Sequence, residues 1–121
     1  MDSGFTLIEL ILVIVILGIL SVVAVPKFID LSEQAESSSA DAVYAAAQSA
    51  AAINFASNRA GNTQTMITSG ATLLGAFDGT PSGWVASGSG ITHTGKDGTT
   101  YTITVDSSET SSAKASLTST W

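Results

Sequence analysis

The chain contains no cysteine. Disulfides, thiol catalysis and cysteine-held metal sites are therefore excluded, and any folded head must be held by packing and hydrogen bonds alone. Cations are almost as scarce. Lys27, Arg59, Lys96 and Lys114 stand against ten acids, for a formal net charge of −6. No basic patch exists for a nucleic acid, and no polybasic segment is available to hold the chain on anionic lipid heads. A single histidine, His93, rules out paired-histidine zinc motifs. No cofactor is expected.

What the chain does have is one long apolar run. Residues Phe5 to Val25 read FTLIELILVIVILGILSVVAV. As a helix this run spans about 31 Å, close to the ~30 Å hydrocarbon core of a bilayer. It is broken by one acid, Glu9. A carboxylate in such a segment is costly, so it needs a partner or a task. An ordinary secretory signal does not fit: MDSG carries no cation, the run is too long, and it contains Glu9. A generic membrane anchor explains the length and leaves Glu9 unexplained.

With 121 residues in all, the remainder suffices for one small domain. From Pro26 to about residue 60 the helical pattern continues and becomes amphipathic and Ala-rich. Phe28, Leu31, Ala35, Ala42, Ala46, Ala50 and Ile53 recur at spacings of three, four and seven, which predicts one weakly apolar stripe facing a core. Ser37, Ser38, Ser39 and Asp41 soften the start of that stretch. Arg59 followed by Gly61 reads as a helix end. Gly18, a weak helix former, and Pro26, which removes a backbone donor, make residues 18 to 26 the most easily bent part of the helix.

Residues 61–121 are rich in Gly, Ser and Thr around short apolar pieces. Thr99 to Asp106 alternates cleanly and is the best strand, with Lys96-Asp97-Gly98 as the turn before it. Ile91 to Thr94 pairs with it as a hairpin, Ala113 to Thr118 is a weaker third strand, and Trp84-Val85 flanks the sheet. So few strands need a helix on one face. The expected fold class is α+β: a long N-terminal α-helix, its apolar half protruding and its amphipathic half packed on a small antiparallel β-sheet.

Several weaker signals have plain readings. Asp30, Glu33 and Glu36 lie three apart on the helix and read as a solvated face rather than a cation site. His93 reads as an exposed strand or hairpin residue, and no G-x-S-x-G elbow supports a hydrolase. Gly88-Ser89-Gly90 does not link a strand to a helix, so phosphate binding is unsupported. Trp84 and Trp121 read as covers for a small core. Thr suits strands and Ser suits turns, so the Ser/Thr-rich tail needs no glycan to explain it.

Gly4-Phe5-Thr6-Leu7-Ile8-Glu9, reading GFTLIE at the mouth of the apolar helix, resembles the processing site of type IV pilins. Gly18 and Pro26 fall where such pilins often carry those residues. The following PKFIDLSEQA resembles the mannose-sensitive haemagglutinin class of type IVa pilins. The resemblance covers about residues 4 to 36. It implies residues 1–4 as a leader, 5–25 as a membrane and filament-core helix, 26–60 as its amphipathic half and 61–121 as a β-rich head. It implies cleavage between Gly4 and Phe5 by a prepilin peptidase and N-methylation of Phe5. The subunit would wait in the inner membrane, in contact with lipid, and be drawn by the pilus assembly machinery into an extracellular homopolymeric filament. In the family, Glu9 pairs with the Phe5 amine of a neighbouring subunit. Each group alone would be expensive in an apolar bundle, and together they cancel. A misplaced charge cannot slide, so the pair is expected to fix the register between subunits. No catalytic residue is expected.

The chain departs from the family in two places. Asp2 stands where Lys or Arg is usual, which leaves either an upstream start or insertion by hydrophobicity alone. The cysteines that clamp the C-terminal loop of many pilins are absent, so residues 107–121 are expected to be the most mobile part of the free subunit unless strand pairing or subunit contacts hold them. Some pseudopilins of type II secretion hold calcium in this region, where this chain has Asp97, Asp106 and Glu109, but without EF-hand spacing. A pseudopilin is the nearest alternative, and a membrane-anchored binding module that never polymerises is a more distant one. The aromatic residues are spread thinly along the sequence and give no case for electron transport.

Overall fold

The computed structural model describes residues 4–121. Its order of elements is α1 (Leu7–Arg59), α2 (Gly70–Gly75), β1 (Val85–Ser87), β2 (Gly90–Thr94), β3 (Thr100–Ser107) and β4 (Ser116–Ser119). The chain is thus α+β. It divides into two compact units, one reaching to Ala35 and one from Glu36 to Trp121. Residues 1–3 of the expected leader lie outside the described residues.

Among the described residues of the first unit, no other element packs on α1. Its apolar side chains between Leu7 and Val25 are 46 to 76% exposed, as for an isolated helix with no covering element. The helix is continuous through Pro26 and through Ser37–Ser39, where the sequence suggested a softer start. Two features still weaken the middle of the apolar half. Pro26 has no amide proton to give the carbonyl one turn back. Ser21 Oγ donates to the Leu17 carbonyl at 2.6 Å, a back-bond of the kind that bends helices.

The second unit holds the core. Its sheet is fully antiparallel, in the order β1-β2-β3-β4, with four strands rather than the two or three expected. Period-two alternation on β3 sends Tyr101, Ile103 and Val105 inward and leaves Thr102 and Thr104 toward the other face. Ile103 faces Ile91 on β2, and Val105 faces Leu117 on β4. A bulge between Val105 and Ser107 ends the regular β3–β4 pairing. Ile67, Leu73, Ile91 and Ile103 are the largest fully buried side chains. The β2–β3 loop closes with Gly95 donating to the Thr99 carbonyl at 2.8 Å and Gly98 at φ 89°, a backbone region that suits glycine.

Within this unit α1 buries Ala40, Ala47, Ala50 and Ala51, with Val43 and Tyr44 packed beside them. This corrects the predicted stripe. Phe28, Leu31, Ala35, Ala42, Ala46 and Ile53 are all exposed, Ile53 to 70%, and only Ala50 of that set is buried. The inner face is chosen by small side chains that let the sheet approach and by Asn54, which is buried and hydrogen-bonded. Weighting positions by apolarity alone turned the helix toward Ile53.

The second helix, α2, was not expected. Ser69 and Thr72 form its capping box, in which each side chain satisfies the other's backbone amide. Its first residue, Gly70, lies so close to β2 that a Cβ there would collide with the Gly90 carbonyl.

Residues 107–121 are tied down, by the strand pairing that had been the stated exception. Beyond the β3–β4 pairing, Tyr44 Oη donates to the Leu117 carbonyl at 3.0 Å and Arg59 Nη1 to the Ser111 carbonyl at 3.2 Å. Trp121 Nε1 donates to Asp41 Oδ1 at 2.7 Å. These bonds all return to α1, which does the work expected of a disulfide.

Candidate functional site

The residues singled out by the sequence sit at the start of α1. Thr6 is the residue before the helix and Glu9 is in its first turn, so the two meet across one turn. Glu9 Oε2 accepts from the Thr6 amide at 2.7 Å and from Thr6 Oγ1 at 2.9 Å. The Glu9 amide donates to Thr6 Oγ1 at 3.3 Å. This is a capping box, Thr-x-x-Glu, and it satisfies two donors that a helix start otherwise leaves bare. Glu9 Oε1 carries no bond among the described residues. The carboxylate is thus fixed through one oxygen and open through the other. Thr6 was not singled out beforehand, although the Ser/Thr-x-x-Glu signature before an apolar run was legible.

Gly4 and Phe5 lie just ahead of the helix and are exposed. A Cβ at Gly4 would meet nothing within 4 Å, and the same holds for Gly18. Packing within the subunit therefore does not explain either glycine. Gly4, Phe5 and Glu9 are brought together at one helix end, while Gly18 and Pro26 lie further along the same element.

The other candidates resolve differently. Asp30 and Glu33 are exposed, as a solvated face should be. Glu36 departs from that reading: it is half-buried, and its Oε1 accepts from the Lys96 amide at 3.1 Å. Its carboxylate lies where a Cβ on Gly95 would go, so any larger residue there would displace the Glu36 side chain. Asp97 caps its own turn, with Oδ1 accepting from the Thr99 amide at 3.0 Å and Oδ2 from Thr99 Oγ1 at 2.5 Å. Those bonds, the hydroxyl's first, hold its carboxyl below the usual range. Glu109 is buried and hydrogen-bonded to Asn54 and Asn58 on α1, so it does not share a site with Asp97. Among the described residues no three Asp, Glu or His side chains converge as a metal site would require.

The aromatic residues are less dispersed than the sequence implied. Trp121 packs edge-on against Tyr101 and Tyr44, at centroid distances of 5.4 and 6.2 Å, and lies 6.4 Å from Trp84. His93 is half-buried rather than exposed, stacked on Trp84 at 5.6 Å and on Tyr101 at 6.4 Å. Its Nδ1 donates to the Gly83 carbonyl at 2.9 Å. The cluster packs the two tryptophans over one end of the sheet, as covers for the core, although Trp121 remains 37% exposed.

Residues 1–25 match the family model described as the prokaryotic N-terminal methylation motif. The chain is also 59% identical over 51 residues to the type IV narrow pilus major component PilA5 of Thermus thermophilus. That alignment covers 42% of this chain and 44% of the relative, so it spans less than half of either protein. No solved structure matches. In its methylation motif, its long apolar helix and the aligned 51 residues, this chain is similar to type IV pilins.

Proposed function

We propose that this chain is a structural subunit of a type IV pilus, polymerising through its N-terminal helix into a surface filament. The observation that carries this reading is an apolar helix with no cover of its own and one half-satisfied carboxylate at its mouth. In this reading a prepilin peptidase removes residues 1–4, and the new Phe5 amine is methylated. The mature subunit waits in the inner membrane, anchored by residues 5–25. The assembly machinery then transfers it to an extracellular homopolymer that serves adhesion or motility. Lipid and protein are about equally apolar, so that transfer costs the helix little.

Glu9 neutralises the Phe5 amine of an adjoining copy. Thr6 holds one carboxylate oxygen and leaves the second for that amine, so the group is pre-oriented before its partner arrives. Such a contact joins unlike patches and does not close on itself, which suits a filament. Residues 18–26 lose regular helix on assembly, helped by Gly18, the Ser21 back-bond and Pro26. No catalytic role is assigned to any residue.

The Thermus relative is a major pilus component, which favours a pilus over a secretion pseudopilin. A calcium-clamped tail, the mark of some pseudopilins, is disfavoured because Glu109 is already engaged by neutral donors. Mass spectrometry of filaments sheared from cells tests the reading. The expected result is abundant chain that begins at an N-methylated Phe5. Chain recovered only from membranes and still carrying residues 1–4 would refute it.

A further inference from the structure

Glu109 is 3% exposed and lies where three parts of the head meet: the last turns of α1, the connection from Asn62 to Ser69, and the arm that follows β3. Its Oε2 accepts from Asn54 Nδ2 at 2.8 Å and from the Ile67 amide at 3.2 Å. Its Oε1 accepts from Asn58 Nδ2 at 2.8 Å. Its own amide donates to the Ile67 carbonyl at 2.8 Å. Asn54 Nδ2 also reaches the Thr65 carbonyl at 3.0 Å, so the same amide fixes both neighbouring segments.

Among the described residues no cation bonds to the Glu109 carboxylate. On α1, Arg59 gives its Nη1 proton to the Ser111 carbonyl. On the arm, Lys114 Nζ reaches Gln48 Oε1 at 3.4 Å. Residues 62–69 contain no ionisable side chain. Asp41 on α1 meets the arm through the Trp121 indole. Neutral N–H donors therefore carry the whole load at Glu109.

We propose that Glu109 is an acid-labile latch: as a carboxylate it fastens residues 108–121 to α1, and its protonation frees that arm as a unit. A carboxylate only accepts, and here it faces three donors. A protonated carboxyl turns one acceptor site into a donor, which leaves buried N–H groups of Asn54, Asn58 or Ile67 without a partner. The arm's other ties lie at one edge of the sheet: β4 is the edge strand beside β3, Ala115 and Leu117 are buried in the core, Trp121 packs on Tyr44 and Tyr101, and Tyr44, Gln48, Arg59 and Lys114 add bonds that do not depend on Glu109. The arm should therefore yield before α1 or the β2–β3 hairpin does. This inference is independent of whether the chain polymerises.

The pH at which the latch opens follows from two opposed influences. Burial, the largest, pushes the Glu109 carboxyl up. The bonds from Asn58, Asn54 and Ile67 pull it down and together prevail, so it lies below its ordinary value. A depressed folded value means that the stabilisation is complete above the unfolded value, about 4.3. It is lost as pH falls through the lower folded value. The latch is closed at neutral pH and opens in acid below that range.

Hydrogen exchange of the full chain in detergent micelles, corrected for intrinsic rates, tests this between pH 6 and pH 3. The expected result is that peptides within residues 108–121 lose about tenfold more protection than peptides within residues 40–59. Glu109→Gln keeps the shape, removes the charge and should show an open arm at every pH, with no acid step. Asn58→Ala keeps the carboxylate but removes one donor, so its step should move to higher pH. This second variant also serves where the first fails to fold. Arm and helix losing protection together would overturn the proposal. So would a Glu109→Gln arm that stays protected with the step intact, or an Asn58→Ala step that does not move.

Discussion

Thr6 and Glu9 complete one another: the Thr6 amide and hydroxyl both donate to one oxygen of the Glu9 carboxylate, and the other oxygen has no bond among the described residues. A single acid thereby closes the helix start and retains capacity for a second partner. In lipid, where water cannot solvate a carboxylate, the first of these tasks already lowers the cost of carrying Glu9.

The two tasks separate by mutation. Glu9→Gln keeps an oxygen for the Thr6 donors and loses the charge. The expected outcome is a subunit that inserts and is processed normally but enters filaments poorly, as measured by the ratio of sheared to membrane-bound chain. Glu9→Leu should lower that ratio further, because it loses both tasks. A normal ratio with unchanged filament geometry in either variant would remove Glu9 from assembly.

Thr6→Val keeps the β-branched shape and the amide but removes the hydroxyl. Losing a cap of this kind costs about 1 kcal/mol at a helix start. The expected filament yield lies between wild type and Glu9→Gln, since the acid remains charged but is less well held. Quantifying sheared filaments for the three proteins side by side checks the order.

Gly70→Ala places a Cβ against the backbone carbonyl of Gly90, which cannot rotate away. The expected loss is about 1–3 kcal/mol, the range for overpacking a close contact. Gly75→Ala, with no neighbour within 4 Å and no left-handed backbone, should be neutral or slightly stabilising. Thermal unfolding of the two variants measures the contrast.

Asp97 supplies a pH test in the exposed β2–β3 loop. The Thr99 hydroxyl and amide hold its carboxyl below the ordinary range, so its contribution is complete above that range and is lost as pH falls through the lower folded value. Asp97→Ala should therefore lower the denaturation midpoint at pH 7, with a deficit that shrinks steadily as the pH is taken into acid below the ordinary carboxylate range. A deficit that stays constant across the acid range would show that charge plays no part.

The sequence made the extremes of this molecule legible. Glu9 stood out because nothing else in its surroundings is polar, and β3 stood out because Tyr101, Ile103 and Val105 alternate with threonines. The inner face of α1 was misread because alanine carries little directional signal and Asn54 looks like a surface residue until Glu109 is placed beside it. The aromatic cluster joins residues 44, 84, 93, 101 and 121, whose proximity depends on closing the sheet and returning the arm to α1. Six-residue α2 carries too short a pattern to compete with the loop signals of its terminal glycines. At the candidate site, the acid was evident from its burial cost. The threonine that holds it was hidden in the same motif, because local capping and long-range pairing compete to explain one residue.

In the proposed filament, Glu9 of one subunit meets the Phe5 amine of another. Solid-state NMR of filaments grown from a mixture of subunits measures this directly, with one pool ¹³C-labelled at glutamate and the other ¹⁵N-labelled at phenylalanine. The account predicts a through-space correlation between the Glu9 side-chain carboxyl carbon and the Phe5 amino nitrogen across the two pools. A correlation confined to doubly labelled single chains, or none at all, would contradict it.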